Sequence, residues 1–379
     1  MATLDSLSEG QIAAVRAIPA HDLAKPNAIE ARRPVSIFLD PEHFRREQER
    51  VFRRYPVVAT LSRMLPEPGS VLLQEGYGVP VLLTRGDDGV VHAFLNACQH
   101  KGSKLVEHCE PFRAKRLVCP YHAWSYELDG RVAKVPREDT FRNLATSERR
   151  LASLPCKEAG GFVWVWLDRE AEASSDALTD ELIADLEALR IPSAHVYGRK
   201  TFTLTANWKL VLEPFLEAYH VRRLHAQSIG SLYADVPTVT HRLGPHIRQI
   251  SGKANFTPAM LDAAGENIHK TVTHAYQVFP STVVVTSPYY TSILIIMPRA
   301  VDRTVVEYSM ITPSAPDNEK AADLYARSHE LILKVFGTED FRAAELCHAG
   351  LSSGALKEVV YCGLEETIPM YYEHLESLL

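Results

Sequence analysis

Two stretches, Cys98-Gln99-His100 and Cys119-Pro120-Tyr121-His122, each bring one thiol and one imidazole within a single turn of backbone, and 18 residues separate His100 from Cys119. Two thiolates and two imidazoles form a metal-ligand set. Any fold for this chain must hold those two loops face to face.

The residues around them alternate. Val71-Leu72-Leu73, Val79 to Thr84, Val90 to Leu95, Leu117-Val118 and Phe162 to Leu167 read as short strands, with Gly69, Gly76, Gly78, Gly86, Asp87-Asp88-Gly89 and Asp129-Gly130 as turns. From Val57 to about Leu167 the pattern predicts a compact antiparallel β domain with both Cys/His stretches on loops. Zinc accepts Cys₂His₂ but usually draws on CxxC and HxxxH pairs. One mixed pair per loop suits a Rieske [2Fe–2S] centre, in which two histidines replace two cysteines on one iron and raise the reduction potential. Such a cluster needs an electron acceptor.

The chain, at 379 residues, has room for one in a second domain. Lys plus Arg total 41 and Asp plus Glu 47, a net charge of −6, with no basic block. That disfavours nucleic acid and anionic membranes as partners. Apolar runs such as Ile293 to Met297 are too short to span a bilayer, and the N-terminus lacks the pattern of a signal peptide. Six cysteines, two already in metal-ligand spacing, do not form a disulfide framework. A cytoplasmic setting is expected.

Residues 1–35 read as a loosely ordered arm with a short helix. Asp40-Pro41-Glu42 starts a helix running through Phe44, Val51 and Phe52 to about Arg54. The boundaries expected are 1–54 for this arm and helix, packed on the catalytic domain, 55–168 for the cluster domain and 169–379 for the catalytic domain. Arg169 to Leu178 reads as a linker, followed by an amphipathic helix at about Thr179 to Leu189. Strands are expected at Lys200 to Ala206, Thr238 to Ile250, His274 to Thr286, Thr291 to Met297 and Thr304 to Thr312. Helices are expected from Asn207 and at about Asp317 to Phe336, Glu339 to Cys347 and Leu364 to Leu379. The fold class is α+β, an antiparallel sheet wrapped against helices.

The helix after Asn207-Trp208-Lys209 carries Glu213, Glu217, His220 and His225. Glu217 and His220 share a helical face. His220 and His225 are five apart, about 140° on a regular helix, so one metal requires a π-type bulge or a helix end between Val221 and Leu224. Two histidines and one carboxylate leave open positions on iron(II) for dioxygen. Asp340 is the expected carboxylate and Glu339 its rival.

Taken together, Asn96-Ala97-Cys98-Gln99-His100-Lys101-Gly102, Cys119 to Tyr126, Asn207-Trp208-Lys209, Glu217-Ala218-Tyr219-His220 with His225, and Asp340 with Glu345 resemble the catalytic α subunits of Rieske non-haem iron oxygenases. The resemblance runs from about Asp40 to the C-terminus. It implies that Cys98 and Cys119 hold one iron of the cluster and His100 and His122 the other. His220, His225 and Asp340 would hold a mononuclear iron in a helix-grip, START-like domain. It further implies a homotrimer, sometimes with added β subunits, in which Glu217 bridges His220 to His122 of the partner subunit. Glu217 stands where many ring-hydroxylating members have aspartate, Pro214 replaces a frequent asparagine, and His348 a frequent glutamine.

The activity implied is that of a terminal oxygenase. It would take NAD(P)H-derived electrons from a ferredoxin or flavin reductase and use O₂ to hydroxylate or oxidatively demethylate a small, aromatic substrate. Ring cis-dihydroxylation is the alternative. A Rieske electron carrier and a zinc-stabilised module are readings from other classes. Pocket candidates are Phe215, Leu216, Val221, Phe279, Val283, Val285, Tyr289, Tyr290, Ile293 and Ile295, an apolar set of which about half reads equally well as sheet core. The tyrosines also suit a quaternary ammonium.

Overall fold

A computed structural model describes residues 2–171, 177–262 and 265–379. Much of the expected linker at Arg169 to Leu178 lies outside them. Two compact units emerge: Phe52–Ser174, and Met1–Val51 together with Ser175–Leu379.

The described strands of the smaller unit all pair antiparallel. A five-stranded sheet is built on Ser70–Gln74, Val81–Arg85 and Val91–Leu95, a three-stranded sheet on Val57–Leu61, Cys156–Ala159 and Phe162–Val165, and a small sheet on Leu117–Val118, Ser125–Tyr126 and Val132–Lys134. Cys98, Cys119, Trp124 and Tyr126 join one apolar cluster with Val71, Leu73, Leu82 and Phe94. The metal-ligand loops therefore rest on the core of this unit.

The larger unit holds a seven-stranded antiparallel sheet. Its spatial order is His195–Leu204, Arg303–Thr312, Thr291–Ala300, Thr282–Thr286, Val272–Val278, His246–Gly252 and Val239–Leu243. Two of the expected strands are hairpins. Gly244, at φ +65°, turns the chain between Val239–Leu243 and His246–Gly252, and Phe279 to Ser281 separate Val272–Val278 from Thr282–Thr286. Paired residues on neighbouring strands point to one face. Gln249, Ala275, Val285, Ser292 and Met310 are such a row.

A continuous helical run crosses this sheet, from Glu319–Lys334 through a π turn at Val335–Asp340 into Phe341–Ser352. The sequence led us to expect two helices with a break around Gly337. Gly337 serves close packing instead, since a Cβ there would sit 3.3 Å from the Phe202 ring. The C-terminal helix is shorter than expected, Thr367–Ser377.

The N-terminal arm is more ordered than its sequence suggests. Ser8 caps the Glu9–Arg16 helix, whose Ala14 and Val15 join Leu7 and Ile18 against Ile250, Phe256, Ile268 and Val272. Ala31–Pro34 pairs with Glu358–Tyr361. Asp40 caps the next helix as expected, accepting from the Glu42 N–H at 3.0 Å, and a π turn at Gln48–Phe52 ends it. That helix supplies Glu47, which meets Lys209 Nζ at 2.5 Å and the Trp208 indole at 2.8 Å, all three buried.

Candidate metal centres

In the smaller unit the backbone shapes each donor loop. The Cys98 N–H donates to the Ser103 carbonyl at 2.8 Å and Gly102 closes that turn at φ +74°. The Cys119 N–H donates to the Trp124 carbonyl at 2.8 Å, and Ala123 adopts φ +55° so that the loop can return. Both cysteines are buried at 3% exposure, while His122 and Tyr121 are exposed. His100 stacks parallel on Trp124 at 5.0 Å and lies 4.6 Å from His122 between ring centroids. The Tyr126 hydroxyl lies 3.1 Å from Cys98 Sγ. Burial raises the Cys119 thiol, but the N–H groups of Tyr121 and His122 outweigh it and leave the thiol below its usual range. Such donors favour a thiolate ligand.

In the larger unit, Asn207 caps the Trp208–Leu212 helix, which tightens into a 3₁₀ turn at Glu213–Leu216. Pro214 lacks an N–H and cannot continue an α-helical ladder. The helix breaks at Glu217, which is extended at φ −151°, and a single α turn, Val221–Leu224, follows. His220 and His225 flank that turn. The break thus falls before His220, not as a π bulge or a helix end between Val221 and Leu224. With the two rings at opposite ends of one turn, their centroids come to 5.1 Å.

The π turn carries the carboxylates. An extra residue in the turn re-aims neighbouring side chains, and here Glu339 and Asp340 both reach His225. Asp340 Oδ1 lies 3.2 Å from Nε2 of His225 and 3.5 Å from Nε2 of His220. Glu339 Oε2 instead accepts from Nδ1 of His225 at 2.5 Å and from the Ser228 hydroxyl at 2.7 Å. On the other histidine, Glu217 meets Nδ1 of His220 at 2.5 Å and its N–H at 3.1 Å. Each imidazole therefore has a carboxylate on Nδ1 and turns Nε2 inward, an arrangement that fixes tautomer and orientation for a metal ligand. Burial lowers the His225 imidazole, but Asp340 and Glu339 outweigh it and hold it above its usual value. Glu339's role on the outer nitrogen went unassigned in the sequence, where it was only a rival ligand.

One ligand atom from each of His220, His225 and Asp340 falls within 4.8 Å of the others. Among the described residues, Asp340 Oδ1, for all its closeness to the two Nε2 atoms, and His100 Nδ1 are buried atoms with no partner in hydrogen-bond geometry. Orphaned buried polar atoms are rare, and both belong to donor sets that suit iron: two imidazoles plus a carboxylate, and two thiolates plus two imidazoles.

Above the triad opens a cavity of about 620 Å³. Phe215, Val221, Val285, Tyr289 and Tyr290 line it as expected. Leu216, Phe279, Val283, Ile293 and Ile295 are absent from the lining and are core residues at 0 to 2% exposure.

The Rieske [2Fe-2S] domain model matches residues 55–155, and the model for the ring hydroxylating alpha subunit (catalytic domain) matches residues 191–379. The chain belongs to the Rieske oxygenase α-subunit family. The glycine betaine monooxygenase oxygenase subunit of Chromohalobacter salexigens is 32% identical over 219 residues, 57% of this chain and 48% of that protein. This chain thus matches about half the length of that relative. The carnitine monooxygenase oxygenase subunit of Escherichia coli K12 is 28% identical over 326 residues, 84% of each chain. A crystal structure of a quaternary ammonium Rieske monooxygenase shares the fold, with a TM-score of 0.80 at 20% identity over 95% of this chain and 98% of that one. Among the described residues, no helix of this Rieske oxygenase α subunit is long and apolar enough to cross a membrane.

Proposed function

We propose that this chain is the terminal oxygenase of a multicomponent system that hydroxylates or oxidatively demethylates a small organic substrate. The observation that carries this reading is the convergence of His220, His225 and Asp340 at the base of a cavity, in a chain that also holds the Rieske motif. When bound, the two centres supply stepwise electron delivery and dioxygen activation.

The side chains do the rest. His220, His225 and Asp340 are the proposed ligands of the mononuclear iron; Cys98, Cys119, His100 and His122 are those of the cluster. Glu217 and Glu339 hold the two inward imidazoles in one tautomer, so that Nε2 stays deprotonated and aimed at the metal. Phe215 and Phe336, ring centroids 5.6 Å apart, line the cavity and exclude water from the reacting end.

Exposure of His122 and Tyr121 supports electron exit at the surface of the Rieske unit. Glu217, beside His220, is the proposed receiving carboxylate for His122 of the partner subunit in a homotrimer. NAD(P)H-derived electrons would arrive through a ferredoxin or flavin reductase. The domain boundaries 55–168 and 169–379 fit this division of labour, and the arm before residue 55 braces the catalytic unit through Glu47.

Relatives named for glycine betaine and carnitine oxidation favour demethylation or hydroxylation of a methylated amine over an aromatic ring. Metal and acid-labile sulfide analysis tests the class: the oxygenase needs about three irons and two sulfides per chain, a carrier two irons, and a zinc module zinc alone.

A further inference from the structure

Charge is segregated within the cavity. Its acidic lining residues, Glu217 and Asp340, are those of the metal end. Its basic lining residues are Lys253 and Lys270. Gln249 marks the distance between the ends, because its Nε2 donates to the Phe215 carbonyl at 3.0 Å, next to the segment that carries Glu217. Gln249, Ser251 and Lys253 all line the cavity at strand period two. Lys253 therefore lies about 13 Å further along the chain than Gln249.

Lys270 is ordinary: it is exposed and pairs loosely with Glu266 at 3.7 Å. Lys253 is not. Its residue is 7% exposed, and its ammonium, with three donors to satisfy, donates to the His269 carbonyl at 2.8 Å. Among the described residues no carboxylate lies within ion-pair distance of it. The neighbouring His269 adds no second positive charge, since burial and Lys253 push its imidazole down to about 4. Burial draws the Lys253 ammonium down to about 8, which still leaves it largely protonated at neutral pH. A buried cation without a counter-ion is costly, and this residue lines an open cavity.

We propose that Lys253 is the carboxylate anchor of the substrate site, so that the natural substrate bears a carboxylate distal to the carbon that is oxidised. The proposal deepens the oxygenase reading and rests on this cavity being its substrate site. An anionic head at Lys253 supplies the absent counter-charge and fixes which end of the molecule reaches His220 and His225. A simple cation such as choline lacks that head and would leave Lys253 unpaired. The carboxylate fits two sources, an aromatic acid stacked on Tyr233 and Tyr290 or a trimethylammonium acid whose cationic end lies against rings of the lining.

Anaerobic calorimetric binding to the metal-loaded oxygenase separates these. Benzoate and glycine betaine are compared with their own methyl esters, in wild type and in Lys253→Met. The expected result is that one acid binds roughly tenfold or more tightly than its ester, and that Lys253→Met removes the difference; which acid wins identifies the source. The proposal is overturned if neither acid outbinds its ester in wild type, or if the preference survives in Lys253→Met. Should Lys253→Met not fold, the wild-type ratio decides alone. Failure of the oxygenase reading itself appears separately, in the iron and sulfide content.

Discussion

Glu339 and Asp340 are sequence neighbours that grip the same imidazole from opposite sides, Glu339 at Nδ1 of His225 and Asp340 at Nε2. On a regular helix adjacent side chains diverge by about 100°. The π turn Val335–Asp340 brings both to one ring. The same logic governs His220, where Glu217 takes the outer nitrogen. The site is thus three inward donors held by two outward carboxylates.

Glu217→Gln should keep both metal centres yet lose most substrate-coupled turnover. The amide can still orient Nδ1 of His220, but it cannot take part in proton movement with a partner subunit's histidine. Single-turnover and steady-state rates, measured beside metal content, check this; unchanged coupled turnover would remove the bridging role.

Tyr126→Phe removes the hydroxyl 3.1 Å from Cys98 Sγ. Hydrogen bonds to cluster sulfurs raise the potential by stabilising the reduced, more negative state. A bond of about 1 kcal/mol corresponds to roughly 40 mV for one electron. Voltammetry should show a fall of that order with the cluster intact, and an unaltered potential would exclude the contact.

Glu213 is partly buried and accepts from the hydroxyls of Tyr372 at 2.6 Å and Tyr361 at 2.8 Å. Burial raises its carboxyl to about 7, against an ordinary value of 4.5. A raised acid is protonated in the folded state where the unfolded chain has already ionised. Its stabilising contribution is therefore complete below pH 4.5 and is lost as pH climbs through about 7. The swing is on the order of 3 kcal/mol. Glu213→Gln should flatten that dependence, so denaturant titrations from pH 5 to pH 8 should show the variant gaining on wild type as pH rises.

The Rieske domain, the α+β class and the convergence of His220 with His225 were readable because residue types at short spacings survive any detail of packing. What was not readable depended on distant or subtle geometry. The arm seemed loose because Val15 and Ile18 find partners such as Phe256 and Val272 more than 200 residues away. Ala31–Pro34, short and ending in proline, gave no strand signal. Pro214 did mark a departure, but its consequence, a helix broken at Glu217, needs the local backbone. Gly337 looked like a helix end and is instead a packing gap for Phe202. Half of the expected pocket residues proved to be core because alternation along a strand does not say which face meets the cavity.

The most direct measurement is iron per chain, with the Rieske absorbance as internal reference, in wild type, Asp340→Ala and Glu339→Gln. The account predicts about three irons in wild type and about two in Asp340→Ala with the cluster spectrum unchanged. Glu339→Gln should still reach about three at saturating iron, with affinity weaker by roughly 10- to 100-fold. Full iron content in Asp340→Ala, or loss of the third iron in Glu339→Gln alone, would contradict it.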